Sequence, residues 1–580
     1  MKPLRFSNPA SAGLRHIYMA YGARYATQLG IQRMSTPRGH TGGAASRHAA
    51  ETRLEGAPFN APSGLDDALA EARALDLWTP RPFTLRWIAA LFLAVLAAYA
   101  YQAVIPALNA DDIIQQQKAS DALTMAEQGR WGYYLVYRWV FDYSPAPLFS
   151  TLIASALLVA TGLLAAQVLR LRSSLSIAAL VLVSSISVYY EDLFAFDSTR
   201  VPYTLANLLA VWGLLLVLDR RSVVGVALLA CAPAFYPASS ELAATLLLAA
   251  FVLHFLRAKP SYTLGRLIWS GVAIVVALVA YAVGTRLAYA ALGLTLGDRN
   301  SISPLAIVDN LWALRDLVLR HALPILDLPN GPYLGAALTV LVTLALAAHG
   351  MWLAGHLRTR GVWRTALASL AAGVLLLSPF FLLFGNASIG FPARSLYAFS
   401  LAHAFWLAAI VDWAALQEAS PWRRRAGASV LVLALAIVLA SAFQISKRSY
   451  ESHLAYQADV LATNRIVGRI ETVLAENGRG LDEATPLAVI FDRPEFAGPR
   501  GRIDSARQAP WSREWIFHLV SRDLVPATPE QYRQASKAAA AHGEWPARDS
   551  VFLSTDGIVV VVVSKAPAAA TQPSMQEQAR

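Results

Sequence analysis

Two acidic pairs carry the first chemical signal in this chain. Asp111 and Asp112 lie in "NADD", just beyond an apolar run, and Glu191 and Asp192 lie in "YYEDLFAFDSTR", which also holds Asp197 and Arg200. Paired carboxylates suit general-base work on a hydroxyl, or the holding of a divalent cation. They also serve as solvated helix caps or as counter-charges to Arg130 and Arg200, so the pairs alone do not decide the chemistry. Other polar residues stand at comparable boundaries. "EQGRW" sets Arg130 and Trp131 ahead of "GYYLVYRWVFDYS", whose tyrosines and tryptophan are of the types that settle at headgroup depth. "FYPASSE" supplies Tyr236 and Glu241, and "GNASIGFPARS" supplies Asn386 and Arg394, a guanidinium suited to bidentate phosphate binding. Arg286 reads as a second phosphate-binding guanidinium or as a snorkelling cation, His403 as a packed core histidine and Asp412 as the partner of a nearby arginine. The sequence holds no P-loop, no metalloprotease HExxH, no CxxC and no nucleophile elbow.

The elements that must position these residues are membrane spans. Of 580 residues, 56% are hydrophobic and 15% charged, well below the quarter or so of charged residues usual in soluble domains. Apolar runs long enough to cross a hydrocarbon slab of about 30 Å recur along the chain. About eleven spans are expected: 84–107, 146–169, 175–188, 201–218, 223–235, 240–256, 267–292, 333–353, 365–384, 395–416 and 426–445. The lone Cys231 falls inside one of them, so no disulfide framework exists.

The net charge of +11 is distributed as in a membrane protein rather than a nucleic-acid binder. Lys or Arg occupies seven of the first fifty positions, with no acid among them, and the remaining basic clusters fall in alternate loops, from Arg170 and Arg172 to Arg423, Arg424 and Arg425. By the positive-inside bias these loops and the N-terminus are cytoplasmic, and the acidic loops and C-terminus lie outside. Three regions follow: a basic cytoplasmic tail over 1–80 with no cleaved signal peptide, a transmembrane domain over 81–446, and an external α/β domain over 447–580. In the external domain a helix is expected from about His453 to Glu476, with strands at "PLAVIFD" and, as a hairpin, at "SVFLS" and "IVVVVVS". Between spans, Ile307, Leu311, Leu314, Val318 and Ala322 share one face of an amphipathic surface helix.

In this order and sidedness, "NADD", "GRW", "YEDLFAFDS", "FYPASSE", "FPARS" and the "NRIVGRIE" that begins at Asn464 resemble the membrane glucosyl transferases that decorate bacterial O-antigen, the serotype-converting type. The resemblance covers roughly residues 85–480. It implies a GT-C-like, all-α polytopic fold in a bacterial inner membrane, with the C-terminus periplasmic. The implied donor is a polyprenyl-phosphate-linked hexose, and the implied acceptor a surface glycan such as O-antigen. Asp111 or Asp112 becomes the base of an inverting attack, with Glu191 or Asp192 as a supporting acid. Arg200 and Arg394 become candidates for the donor phosphate, and Arg130, Trp131, Tyr236 and Glu241 join them as substrate-binding candidates. No nucleotide is needed; a divalent cation held between the acids is an option. The long basic N-terminal extension and the longer C-terminal tail depart from the pattern.

Two other classes compete. A transporter or lipid-linked sugar flippase predicts mid-membrane ionisable groups and an internal repeat, which the sequence lacks. An O-antigen polymerase or ligase predicts functional arginines in a large late loop, where Arg299, Arg315 and Arg320 stand.

Overall fold

A computed structural model describes residues 85–565, apart from several stretches of which the longest are 295–309, 384–392 and 492–504. The expected tail over 1–80, and Ile307, Leu311, Leu314 and Asn386, lie outside the described residues.

The chain is a mostly helical, multi-pass membrane protein. The first helix, α1 (Leu85–Val104), is followed by three short ones, α2 (Ala110–Gln117), α3 (Asp121–Glu127) and α4 (Trp131–Trp139). Then come α5 (Pro147–Val168), α6 (Ser174–Ser185), α7 (Val188–Phe194), α8 (Asp197–Leu218), α9 (Ser222–Phe235), α10 (Ser239–Leu256) and α11 (Leu264–Leu292). After Val318–Ala322, a π-helical turn, the bundle is completed by α12 (Ala336–Arg360), α13 (Val362–Leu377), α14 (Ala398–Ala414) and α15 (Pro421–Glu476).

Eight of the described helices are long and apolar enough to cross a membrane, and α6 with α7 makes a ninth if that pair, bent by 49°, is one span. The expectation of eleven is thus only partly met. Apolar helices fall at all eleven predicted places, but α9 and α14 have 14 and 17 residues, short of a full crossing. Hydropathy marks apolar runs, not their length in the folded chain. A second difference concerns the end of the bundle. The last span and the helix expected from His453 are one 56-residue helix, α15, about 84 Å long at 1.5 Å per residue. Nothing between Ile445 and His453 breaks it, since "SKRSYES" holds neither Gly nor Pro.

The helices pack through one large apolar core in which α8 is central, 72% of its apolar window being buried. Helices α8 and α9 cross at glycine. A Cβ on Gly213 would stand 2.8 Å from the Gly225 carbonyl oxygen, so the two backbones touch where a side chain would force them apart.

Beyond α15 lies a four-stranded sheet of β1 (Thr485–Phe491), β2 (Leu524–Pro526), β3 (Val551–Leu553) and β4 (Val559–Ser564), in the order β2-β1-β4-β3. Strand β1 pairs in parallel with β2 and β4, and β3–β4 is the expected antiparallel hairpin. Helix α16 (Arg513–Val520) and α15 cover one face of the sheet, and α17 (Pro529–Ala539) covers the other. Both faces being covered explains the unbroken valine run of β4: Val559 and Val561 enter one apolar cluster, Val560 and Val562 the other. The three-residue β2 has too little pattern to be read from sequence.

Candidate active site

The first acidic pair sits on α2, a helix of eight residues that needs outside support to hold its shape. Asn109 supplies part of that support. Its Oδ1 accepts the backbone N–H groups of Asp111 and Asp112 at 2.9 and 3.1 Å, and its Nδ2 donates to the Ala195 carbonyl at 2.7 Å. The residue before "ADD" therefore caps the acidic helix and ties it to the end of α7, the helix of the second pair.

Neighbouring residues on a helix point about 100° apart, so each acidic pair splits. Asp112 turns inward and is 3% exposed. Its carboxylate accepts the Asp197 amide and lies close to the Asp197 and Arg200 side chains. Its Oδ1 is buried with no hydrogen-bond partner. Burial, then the Asp197 charge, push the Asp112 carboxyl up to about 7, with Arg200 opposing. Asp111 is half-buried and interacts electrostatically with Arg394.

The second pair divides likewise. Asp192 Oδ2 accepts the Arg394 backbone N–H at 2.9 Å and lies 3.7 Å from the Arg394 guanidinium, which rests 4.4 Å above the Phe196 ring. Glu191, fully buried, faces Arg448 of α15 at 3.7 Å. Arg448 in turn donates to the Tyr333 carbonyl and covers the Tyr333 ring at 4.3 Å. Arg394 thus bridges the two acidic loops, reaching Asp192 directly and Asp111 through its charge, while Glu191 belongs to a separate buried pair.

Arg200 is 3% exposed. Its Nη1 donates to Asp197 (2.9 Å), Thr151 (3.1 Å) and Pro147 (3.1 Å), and its Nε to the Phe194 carbonyl (2.7 Å). Asp197 is equally committed: Oδ1 accepts from Ser150 and Arg200, and Oδ2 from the Ala146 amide. This pair locks the start of α8 to the start of α5.

Arg130 precedes α4, donates to the Tyr203 hydroxyl at 2.9 Å, and lies 5.3 Å from the Tyr236 ring centre. Tyr236 stacks on Tyr203 at 3.7 Å and faces Tyr397 at 6.0 Å. Glu241, 2% exposed in the first turn of α10, interacts electrostatically with Tyr397. Trp131 is half-buried beside Arg130, and its indole N–H has no partner. Asp111, Arg130, Asp192, Tyr236 and Arg394 therefore gather at one end of the bundle. Arg286 is exposed on α11, and Asp412 stands apart from the site, holding Arg257 at 3.2 Å near the far ends of α5 and α10.

Among the described residues the donor set does not fit a divalent cation. Asp112 has one uncommitted oxygen, but both oxygens of its acidic neighbour Asp197 are engaged. Among the described residues no three His, Cys, Asp or Glu side chains converge as ligands.

The model of the family described as Glucosyl transferase GtrII matches residues 100–411, more than half of the chain, from just before Asn109 to past Arg394. The chain belongs to the GtrII glucosyl transferase family. No curated protein matches it. Among solved structures it is similar to the Archaeoglobus fulgidus oligosaccharyltransferase. The apo form shows 13% identity and a TM-score of 0.39 over 78% of this chain. The form tethered to an acceptor peptide containing the NVT sequon shows 12% and 0.37 over 77%. The glucosyl transferase chain spans 65% of the length of each.

Sequence reasoning left Asn109, Asp197, Tyr203 and Arg448 out of the site of this GtrII family member. Asn109 was open to detection, since an Asn directly before a helical acidic stretch is an N-cap signal. Arg448 was not: it lies more than 250 residues from Glu191 in the chain, and no local pattern joins them.

Proposed function

We propose that this glucosyl transferase is a GT-C-type enzyme that moves glucose from a polyprenyl-phosphate donor to a hydroxyl of a surface glycan such as O-antigen, with inversion at the anomeric carbon. The observation that carries this reading is Asp112, a buried carboxylate with one unpartnered oxygen on a short capped helix. An acceptor hydroxyl donating to that oxygen loses its proton to Asp112 as its own oxygen bonds to the anomeric carbon. The bond from that carbon to the phosphate oxygen breaks, and its electron pair leaves with polyprenyl phosphate. A base so placed contributes about 10²–10⁴-fold. Its pKa near 7 matches a base that must both accept the proton and be ionised at neutral pH.

Negative charge on the departing phosphate falls to Arg394 and Arg130, the two site cations that are only half-buried. Arg394 remains oriented by Asp192. Arg200, enclosed by protein acceptors, holds Asp197 in place behind Asp112. Trp131 offers its indole N–H to a sugar hydroxyl. A lipid-tailed donor presents its phosphate at headgroup depth, where the helices end and these loops begin. The basic loops at the other end of the bundle support reading this end as the periplasmic one of an inner-membrane enzyme.

The test is transfer from polyprenyl-phosphate glucose to isolated surface polysaccharide by the purified full-length protein, read by mass spectrometry. A gain of one hexose per acceptor repeat supports the reading. Lengthened chains with no hexose branch indicate polymerisation instead, and an unaltered glycan contradicts transfer.

A further inference from the structure

Helix α2 touches more than the bundle. Ile113, the residue after Asp112, is fully buried, and it belongs to the same apolar cluster as Ile516 and Phe517 of α16 and Leu487 of β1. Leu108, on the other side of the acidic pair, packs against that cluster too. Asp112 and Ile113 thus point to different bodies, Asp112 to the start of α8 and Ile113 into the core of the C-terminal sheet domain. That domain lies outside the 100–411 stretch the family model covers.

An eight-residue helix ending in three glutamines has little intrinsic stability. Asn109 tethers its first turn, and the Asp197 amide holds the Asp112 carboxylate. The apolar anchorage of Leu108 and Ile113 brackets the acids and fixes the rotation of the helix about its axis, which decides whether Asp112 meets Asp197.

We propose that the C-terminal sheet domain is a working part of the transferase and that Ile113 is the positioning residue through which it holds Asp112 in its reactive place. This rests on the reading of Asp112 as the base. Misplacing a reacting group by about 1 Å lowers a rate on the order of 10²-fold, so shortening Ile113 acts on turnover rather than on donor binding.

The experiment compares full-length wild type, Ile113→Val, Ile113→Ala and Asp112→Asn, each checked for a single monodisperse peak in detergent. The expected kcat falls about threefold for Val and about 30- to 100-fold for Ala, with the donor KM within about twofold of wild type. In Ile113→Ala the acidic limb of the kcat/KM profile moves to lower pH, because water reaching Asp112 relaxes the burial that raises its pKa. The charged and titratable groups facing Asp112, namely Asp111, Asp197, Arg200, Tyr133 and Tyr137, are the same in every variant. Wild-type kcat and pH profile in Ile113→Ala overturn the proposal. Should the Ala variant not be recovered folded, wild-type values in Ile113→Val overturn it equally. An active Asp112→Asn variant instead removes the base assignment, whatever Ile113 does.

Discussion

Arg394 holds Asp192 twice, by a backbone N–H bond of 2.9 Å and by a guanidinium 3.7 Å from the same oxygen. The backbone bond survives any substitution at 394 except proline, so Asp192 stays tethered when the cation is removed. Arg394→Ala should therefore leave the fold intact and raise the donor KM by about tenfold or more, the scale of a lost charge-assisted contact. Arg394→Lys should recover only part of that, because an ammonium lacks the planar fork. Steady-state kinetics with varied donor check this; an unchanged donor KM in Arg394→Ala would move the phosphate elsewhere.

Arg200 should behave differently. Its guanidinium and the Asp197 carboxylate are both buried, and removing one partner leaves the other charge unpaired at a cost of about 3–5 kcal/mol. Arg200→Ala should show a lower thermal midpoint and a smaller monodisperse yield. A stable Arg200→Ala protein with a selective donor defect would return Arg200 to the phosphate site.

Asn109→Ala removes the cap of α2 and the tether to Ala195 together. A lost cap typically costs about 1 kcal/mol, small against global stability. The expected result is an unchanged thermal midpoint with kcat reduced about tenfold or more and donor KM little altered. Equal losses of stability and turnover would assign Asn109 a purely structural part.

Asp112 makes its own stability demand. Its folded pKa of about 7 lies above the 3.8 usual for a free aspartate, so between those values the folded state binds more protons than the unfolded chain. Stability contributed by the protonated carboxyl is present at low pH and is lost as pH rises through 7. Asp112→Asn should therefore raise the thermal midpoint at pH 8 relative to wild type, and the gap should narrow toward pH 5. Thermal melts of both proteins across that range check the sign; a gap that widens toward acid contradicts the burial argument.

Much of this arrangement was legible in the sequence. Apolar run lengths located the helices, and short β-branched runs, two of them flanking Thr555-Asp556-Gly557, located three of the four strands. The placement of "NADD", "YEDLFAFDS" and "FPARS" at the ends of apolar runs put Asp111, Asp192 and Arg394 on one list, and the structure brings those three together. What stayed hidden depends on contacts between distant segments. Glu191 and Asp192 look equivalent in sequence, yet one faces Arg448 and the other Arg394 because a helix turns 100° between them. The resemblance makes Arg200 a candidate for the donor phosphate, and nothing local in the sequence marks the carbonyls of Phe194 and Pro147 that enclose it. Ile113 gave no sign at all, since an isoleucine after two acids announces burial but not the body it is buried in.

The most direct measurement of the central claim is the rate of glucosyl transfer by purified Asp112→Asn beside Asp111→Asn and wild type, as a function of pH. The account predicts that wild-type kcat/KM rises with pH through about 7 and then levels. It predicts that Asp112→Asn loses about 10²-fold or more at every pH while remaining folded, and that Asp111→Asn keeps the wild-type pH profile. Wild-type turnover in Asp112→Asn, or loss of the rise near pH 7 in Asp111→Asn alone, would contradict it.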